Sequence, residues 1–566
     1  MVVSAFNSLS QRVFCMLKEG GYDVSVEFAL STKAIREAFN SWKPDIILSP
    51  YLLQKIPEDI WSKVPTLILH PGPLGDRGPS SLDWAILKKQ TKWGVTLLQA
   101  NEEMDAGDIW GYSYYSMPKN SSKAYIYRNE VTQIALELFK KALNNYKTDF
   151  KPLQQNTLTN INWHIHNKMP QSIRAINWDT DTTDDIIKKI NSADNHPGVL
   201  DNIAGVKCYM YGASKEATLR GKPKEILAKR DGAICIGTTD AAVWISHLAE
   251  PDRFKLPSTY VLKNKIEGVK EHRIPLFVSP SLETFKEITF TKKDNIGYLY
   301  FDFYNGAMSS NQCIRLKYAI ETLREEVDIL VLMGGKNFFS NGIHLAILQD
   351  SKKQGEDGWS NINAMNNLIS TILYSDDILT VASFGANAGA GGVFLALACD
   401  IVVAKEGVVL NPHYKTIGLS GSEYHTYTLP KRVGKKLAKS LTDNMLPISA
   451  NYAKSIGMID EVFKDYQVDI RDYEAVIDKK DYETQLHNYL KDIVENEDRY
   501  YNMIDTKREN LEADDEIIQR CKEEELNRMY PEFWEKDSLF HKLRYEFIYK
   551  IPKEYAPKHL ALHKKV

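Results

Sequence analysis

The chain has 566 residues, 43% apolar and 26% charged, with a formal net charge of −3. That length suits roughly three to four globular units of about 150 residues each. The charge balance gives no footprint for wrapping nucleic acid, and no apolar run reaches the ~18–20 residues that a bilayer span requires.

In chain order, "MVVSAFNSLSQRVF" lacks a basic segment followed by a long apolar core, so no secretion signal is expected and the cytoplasm is the expected location. "DVSVEFAL" (23–30), "PDIILSPYL" (44–52), "TLILH" (66–70) and "WGVTLLQA" (93–100) read as strands. Between them, "STKAIREAFNSW" (31–42) reads as a helix with Ser31 at its N-cap, and "SLDWAILKK" (81–89) as another. A long helix follows over 122–146. Strands alternating with helices predict α/β architecture, beginning with a doubly wound parallel sheet over residues 1–150. Residues 151–270 hold one amphipathic helix, "DTTDDIIKKINSAD" (181–194), among short β-like pieces, which predicts a small β-barrel-like domain. "ITFTKKDNIGYLYFDF" reads as a strand pair turning at Asp294-Asn295. "DILVLMGG" (328–335) is a buried strand, and 378–405 run strand, glycine-rich turn, apolar helix, strand, inside a third unit over 285–470. Residues 471–566, rich in Glu, Lys and Tyr, predict a helical C-terminal extension. The six cysteines are scattered with no CxxC pair, so neither a disulfide framework nor a metal site is expected.

One loop stands out. "HPGPLGDRGPSSLDWAI" (70–86) follows a buried strand with a histidine and then alternates prolines that fix φ with glycines that free it. Such a loop has a specified shape, and α/β enzymes place ligand contacts there. A structured turn with a surface histidine would read the same way.

"GVTLLQANEEMDAGDIW" (94–110) adds an "MDAGD" loop after the next strand. This order of motifs resembles the folate-dependent formyltransferases, which take a formyl group from 10-formyltetrahydrofolate and carry Asn-x-His, Arg-Gly, Gly-Val-Thr and Asp-x-Gly-Asp. The match implies His70 and Asp105 as catalytic residues, with Arg77 and the backbone of Tyr51 and Leu52 in "SPYLL" (49–53) as folate contacts. The bland alternatives are a turn capped by Asp105 and a plain strand end. Residues 174–199 resemble the start of the small C-terminal domain of methionyl-tRNA formyltransferase. The chain departs from the pattern at Ile68, where the family has asparagine. Losing one oxyanion donor typically costs about 2.7–4 kcal/mol of transition-state stabilisation. A thiolate acceptor, being a strong nucleophile, is one way to manage with fewer donors.

"FFSNGIHLAILQ" (338–349) and "FGANAGAGGVFLALACDIVVA" (384–404) resemble the enoyl-CoA hydratase/isomerase (crotonase) family. The resemblance implies that the amides of Ile343 and Gly391 hold a thioester oxygen, since main-chain donors on a glycine-rich turn converge there. The hydratase glutamate falls at Phe394, which argues against ordinary hydration. Tyr414 and Glu423 in "NPHYKTIGLSGSEYHTY" (411–427) stand where the second would be, as proton donor and base, with His413 in reserve. Packing of Tyr414 and a helix start at Glu423 are the structural alternatives.

A chain with both halves resembles the HypX family of hydrogenase maturation proteins. That likeness implies formyl transfer from 10-formyltetrahydrofolate to coenzyme A, then release of carbon monoxide from formyl-CoA as a ligand for nickel–iron hydrogenase. It implies small-molecule substrates, and hydrogenase maturation proteins or the hydrogenase large subunit as partners. A formyltransferase with another acceptor, or a non-catalytic assembly factor, are the competing readings.

Overall fold

Short apolar runs become the central strands of an eight-stranded sheet. The computed structural model describes residues 1–52, 54–159, 161–279 and 281–565. Val26–Glu27, Val2–Val3, Ile47–Ser49 and Thr66–His70 lie side by side and parallel. Lys92–Gln99 and Ile109–Ser116 then add antiparallel. The doubly wound sheet is therefore mixed, because the link between these last two strands is too short for the dozen or more residues of a parallel crossover. Helix Thr32–Trp42 begins as expected, with the Ala34 N–H donating to Ser31 Oγ at 3.1 Å. The long helix expected over 122–146 is interrupted: Lys123–Ile126 and Thr132–Asn145 flank a π turn at Tyr127–Val131. There Thr132 Oγ1 donates to the Tyr127 carbonyl five residues back, at 2.7 Å, which suits a widened turn.

Residues from far along the chain extend this sheet on one side and cover its edge on the other. A hairpin, Tyr466–Arg471 with Glu474–Lys479, joins beside Ile109–Ser116 and buries Ala475 in the core of the first half. The region 471–566 thus opens with a strand before its helices Tyr482–Val494, Glu497–Trp534 and Leu539–Ile548. On the opposite edge, the Val26 N–H donates to the Leu560 carbonyl at 3.0 Å. His563 sits buried between Ser25 and Glu27, its Nδ1 2.7 Å from Ser25 Oγ and its Nε2 3.3 Å from the Glu27 carboxylate. Covering an edge removes unpaired backbone groups that would otherwise template aggregation.

The small middle unit pairs its strands antiparallel in the order Ile226–Arg230, Ala233–Gly237, Ala242–Ala249, Val206–Glu216, Val199–Ile203. Among the described residues this path stays open, and helix Thr183–Ala193 lays Ile186 and Ile190 into its core. The second half is a six-stranded sheet: Ile288–Lys293, Ile296–Phe301, Ile329–Gly334, Leu379–Phe384, Ile401–Lys405, Glu461–Phe463. Asp294 and Asn295 turn its first hairpin with φ of 51° and 59°, as a tight two-residue turn demands. Among the described residues, no helix is long and apolar enough to cross a membrane.

Candidate active sites

His70 ends strand Thr66–His70 and is buried. Its Nδ1 lies 3.4 Å from Asp105 Oδ2, so the two expected residues meet. Asp105 adopts φ +54° in its loop and accepts the Gly78 N–H at 3.0 Å. Gln155 secures that loop by donating to the carbonyls of Asp105 and Gly107 at 3.0 and 2.8 Å. A third group had not been foreseen. Asp76 Oδ2 lies 2.8 Å from His70 Nε2, and Asp76 Oδ1 lies 3.2 Å from His166 Nε2. Burial alone would push the His70 imidazolium down, but the hydrogen bond to Asp76 and the charges of Asp105 and Asp76 outweigh it and leave the ring above its ordinary range. His166 moves the other way, lowered chiefly by burial. The pairing of Asp76 with His70 depends on the fold of the 71–75 loop, which spacing alone does not give.

Arg77 donates to Gln155 Oε1 at 2.7 Å and lies 4.8 Å from the centre of the exposed Trp163 ring. It therefore braces the Asp105 loop. Tyr51 is 39% exposed, but its N–H donates to Ser4 Oγ at 3.0 Å and its carbonyl accepts from the same hydroxyl at 2.8 Å. Its backbone groups are thus already engaged. Leu52 packs partly buried against the core around Ile35 and Ile60. Leu53, the last residue of "SPYLL", lies outside the described residues.

In the second half, the short strand Gly342–Ile343 pairs with Ala307–Met308 and passes close to the start of helix Gly391–Leu397. A β-carbon on Gly342 would come within 3.1 Å of the Gly391 nitrogen, so Ile343 and Gly391 sit on adjoining backbone segments. Ala390 ahead of the helix takes φ 47°, ψ −128°, a costly conformation for a residue with a β-carbon. Glu423 is buried against this loop: a β-carbon on Gly391 would fall 2.6 Å from Glu423 Oε1. Its other oxygen accepts from Tyr414 Oη at 2.6 Å, so this expected pair also meets. Burial is the main cause that raises the Glu423 carboxyl, and burial beside that carboxyl raises the Tyr414 phenol well above its usual range. Phe394, where a hydratase has glutamate, stacks on Tyr414 with centroids 5.4 Å apart at 15°.

Glu423 and Tyr424 both lie at positive φ, 66° and 55°. Two groups from other elements hold them there. Asn366 Oδ1 accepts the Glu423 N–H at 2.9 Å, and Glu525 of helix Glu497–Trp534 accepts the N–H groups of Tyr424 and Thr426 at 2.9 and 2.7 Å. Neither had been foreseen, because both reach the loop across long separations. His413 is buried and pushed down to about 4, mainly by burial, so it remains neutral. Basic side chains from separate segments gather around Asp194: Lys123, 3.1 Å from Asp83, Arg128, which donates to Asn337 at 3.1 Å, and Lys255, held down to about 7 chiefly by burial, with Lys550 close enough to act on it.

Comparison with known proteins follows this division. The Enoyl-CoA hydratase/isomerase family matches residues 301–538, and the Formyl transferase, C-terminal domain, family matches residues 168–265. The chain is 35% identical to the Hydrogenase maturation factor HoxX of Bradyrhizobium diazoefficiens over 566 residues, 99% of this chain and 96% of that one. It superposes with a TM-score of 0.93, at 43% identity, on the crystal structure of HypX from Aquifex aeolicus in complex with tetrahydrofolic acid, covering 100% of this chain and 98% of that one. A methionyl-tRNA formyltransferase of Nitratiruptor sp. is 29% identical over 127 residues, 22% of this chain and 41% of that one.

Proposed function

This chain belongs to the HypX/HoxX family of hydrogenase maturation factors, and on that premise we propose that it passes a formyl group from 10-formyltetrahydrofolate to coenzyme A and then releases carbon monoxide from the formyl-CoA. The observation that carries the second step is the placing of the Glu423 carboxyl. One of its oxygens accepts from the Tyr414 phenol and the other lies where a β-carbon on Gly391 would collide with it, while Phe394 removes the hydratase carboxylate.

In the first step the N10–formyl bond breaks, a carbon–sulfur bond forms, and the thiol proton ends on N10. His70 stabilises the oxyanion of the tetrahedral intermediate, and Asp105 moves the proton. In the second step one base takes the formyl proton, the carbon–sulfur bond breaks, carbon monoxide leaves and sulfur is reprotonated. A single carboxyl suffices, because the proton that Glu423 takes from carbon is the one sulfur needs. Tyr414 supplies the hydrogen-bond donor beside it. The basic groups Lys123, Arg128, Lys255 and Lys550 suit the phosphates of a coenzyme A that visits both sites, and Lys255, held down to about 7, gains its full charge on meeting them.

The test mixes full-length protein with 10-formyltetrahydrofolate and coenzyme A and measures headspace carbon monoxide. His70→Ala and Asp105→Asn should stop formyl-folate consumption. Tyr414→Phe and Glu423→Gln should consume it normally yet fail to release carbon monoxide from supplied formyl-CoA. Wild-type release by both of the latter variants would overturn the second step. Formyl consumption that does not need coenzyme A would point to another acceptor.

A further inference from the structure

His70 faces a carboxylate on each side. Asp76 lies 2.8 Å from Nε2 and Asp105 lies 3.4 Å from Nδ1. Only a doubly protonated ring donates to both. The two partners differ. The Asp76 side chain is completely buried, whereas that of Asp105 is 13% exposed and shares its oxygen with the Gly78 N–H. Asp76 is also locked in by the loop itself. Its N–H donates to the Pro73 carbonyl at 3.0 Å, and any side chain at Gly72 would collide with both His70 Nε2 and Asp76 Oδ2. Two residues before His70, on the same face of the strand, stands Ile68, which has no donor to offer a developing oxyanion.

We propose that Asp76 is a positioning residue that pins the Nε2–H of His70 and keeps the ring cationic, so that Nδ1–H is the charged donor presented to the formyl oxygen. The inference rests on the formyl-transfer reading above. Asp76 stays fixed through the cycle. Asp105, looser and nearer solvent, swings from Nδ1 to the transferred proton. A donor carrying charge makes a hydrogen bond about twice as strong as a neutral one, which offsets the donor that Ile68 lacks. The other charged groups around the pair do not supply this. His166, against Asp76 Oδ1, is lowered mainly by burial and stacks on Trp84 at 5.3 Å, while Arg77 is turned to Gln155 and, at 3.7 Å, to Glu103. Lys88 and His164 lie farther out, and both act on His166.

The experiment labels the histidines of the full-length protein with ¹³C at Cε1, assigns the His70 resonance by its loss in His70→Gln, and titrates it. Wild-type His70 should titrate above the ~6.5 of an unperturbed imidazole. Asp76→Asn should lower that midpoint by about 1–3 pH units. In formyl-folate consumption, Asp76→Asn should lower kcat on the order of 10²-fold with little change in KM. It should also move the alkaline limb of the kcat profile toward acid by the same shift, while Asp76→Glu keeps the limb in place. Adding Ile68→Asn to Asp76→Asn should recover part of kcat, since it places a neutral donor on that face. A wild-type midpoint at or below the unperturbed value overturns the proposal even if Asp76→Asn does not fold. So does a midpoint unchanged in Asp76→Asn. If the wild type transfers no formyl group at all, the formyl-transfer reading fails, and the titration alone decides what Asp76 does to His70.

Discussion

Glu423 keeps a carboxyl away from water and beside a strained loop, and that has a thermodynamic signature. Its folded pKa is raised above the unfolded value, chiefly by burial. Below the unfolded pKa both states hold the proton. As pH rises through the folded value, the native state must surrender a proton that the unfolded state released earlier, so its stability relative to a neutral analogue falls. Glu423→Gln should therefore melt higher than wild type, by a few degrees at pH 8 and by less at pH 4.5, while losing carbon monoxide release. Equal melting at both pH values would show that the carboxyl is not the source of strain. The residues differ in how visible they were beforehand. His70 and Asp105 stand in motifs whose order along the chain is recognisable, and Tyr414 and Glu423 stand in the one stretch that replaces a missing carboxylate. Asp76 stood in plain view six residues after His70, but its role depends on Gly72 letting the loop double back.

At the level of elements, helix Glu497–Trp534 does more than cover the second half. Glu525 terminates the backbone of the Tyr424–Thr426 turn from outside, acting as a borrowed N-cap for helix His425–Val433. Glu525→Ala leaves the buried Tyr424 N–H without an acceptor, which costs about 1–3 kcal/mol, and frees the half-buried Thr426 N–H. It should abolish carbon monoxide release from formyl-CoA while formyl-folate consumption continues. Loss of both activities together would mean a general collapse instead. The helix Gly391–Leu397 makes a sharper prediction. Gly391→Ala would set a β-carbon 2.6 Å from Glu423 Oε1 and 2.9 Å from Met365 Cε, displacing the carboxyl proposed as the base without removing it. Carbon monoxide release should fall at least tenfold, on the scale of a misplaced catalytic group, with a drop in melting temperature no larger than overpacking by one methyl, about 1–3 kcal/mol, produces. Helix positions and strand runs were readable from apolar spacing, down to the Ser31 cap and the Asp294-Asn295 turn. The π turn at Tyr127–Val131 was not, because nothing in the periodicity marks one inserted residue.

Across the whole molecule, the boundary between the halves is not a cut that the backbone respects. The first sheet is finished on one side by the hairpin of residues 466–479 and on the other by Leu560 and His563. A fragment containing only residues 1–285 should therefore be poorly soluble or melt well below the intact protein, and light scattering with calorimetry would decide it; a fragment as stable as the parent would mean the two borrowed edges add nothing. Sequence patterns could identify these strands but not assign them to this sheet, since register between segments hundreds of residues apart leaves no local periodicity. The tail has one more consequence, which concerns how the protein is made. Ser25 and His563 are 538 positions apart. At about 5–20 residues per second, a ribosome finishes the partner of Ser25 roughly half a minute to two minutes after Ser25 itself. The first half to be synthesised is then the last to be sealed, and during translation its open strand is the surface that a holding chaperone would cover.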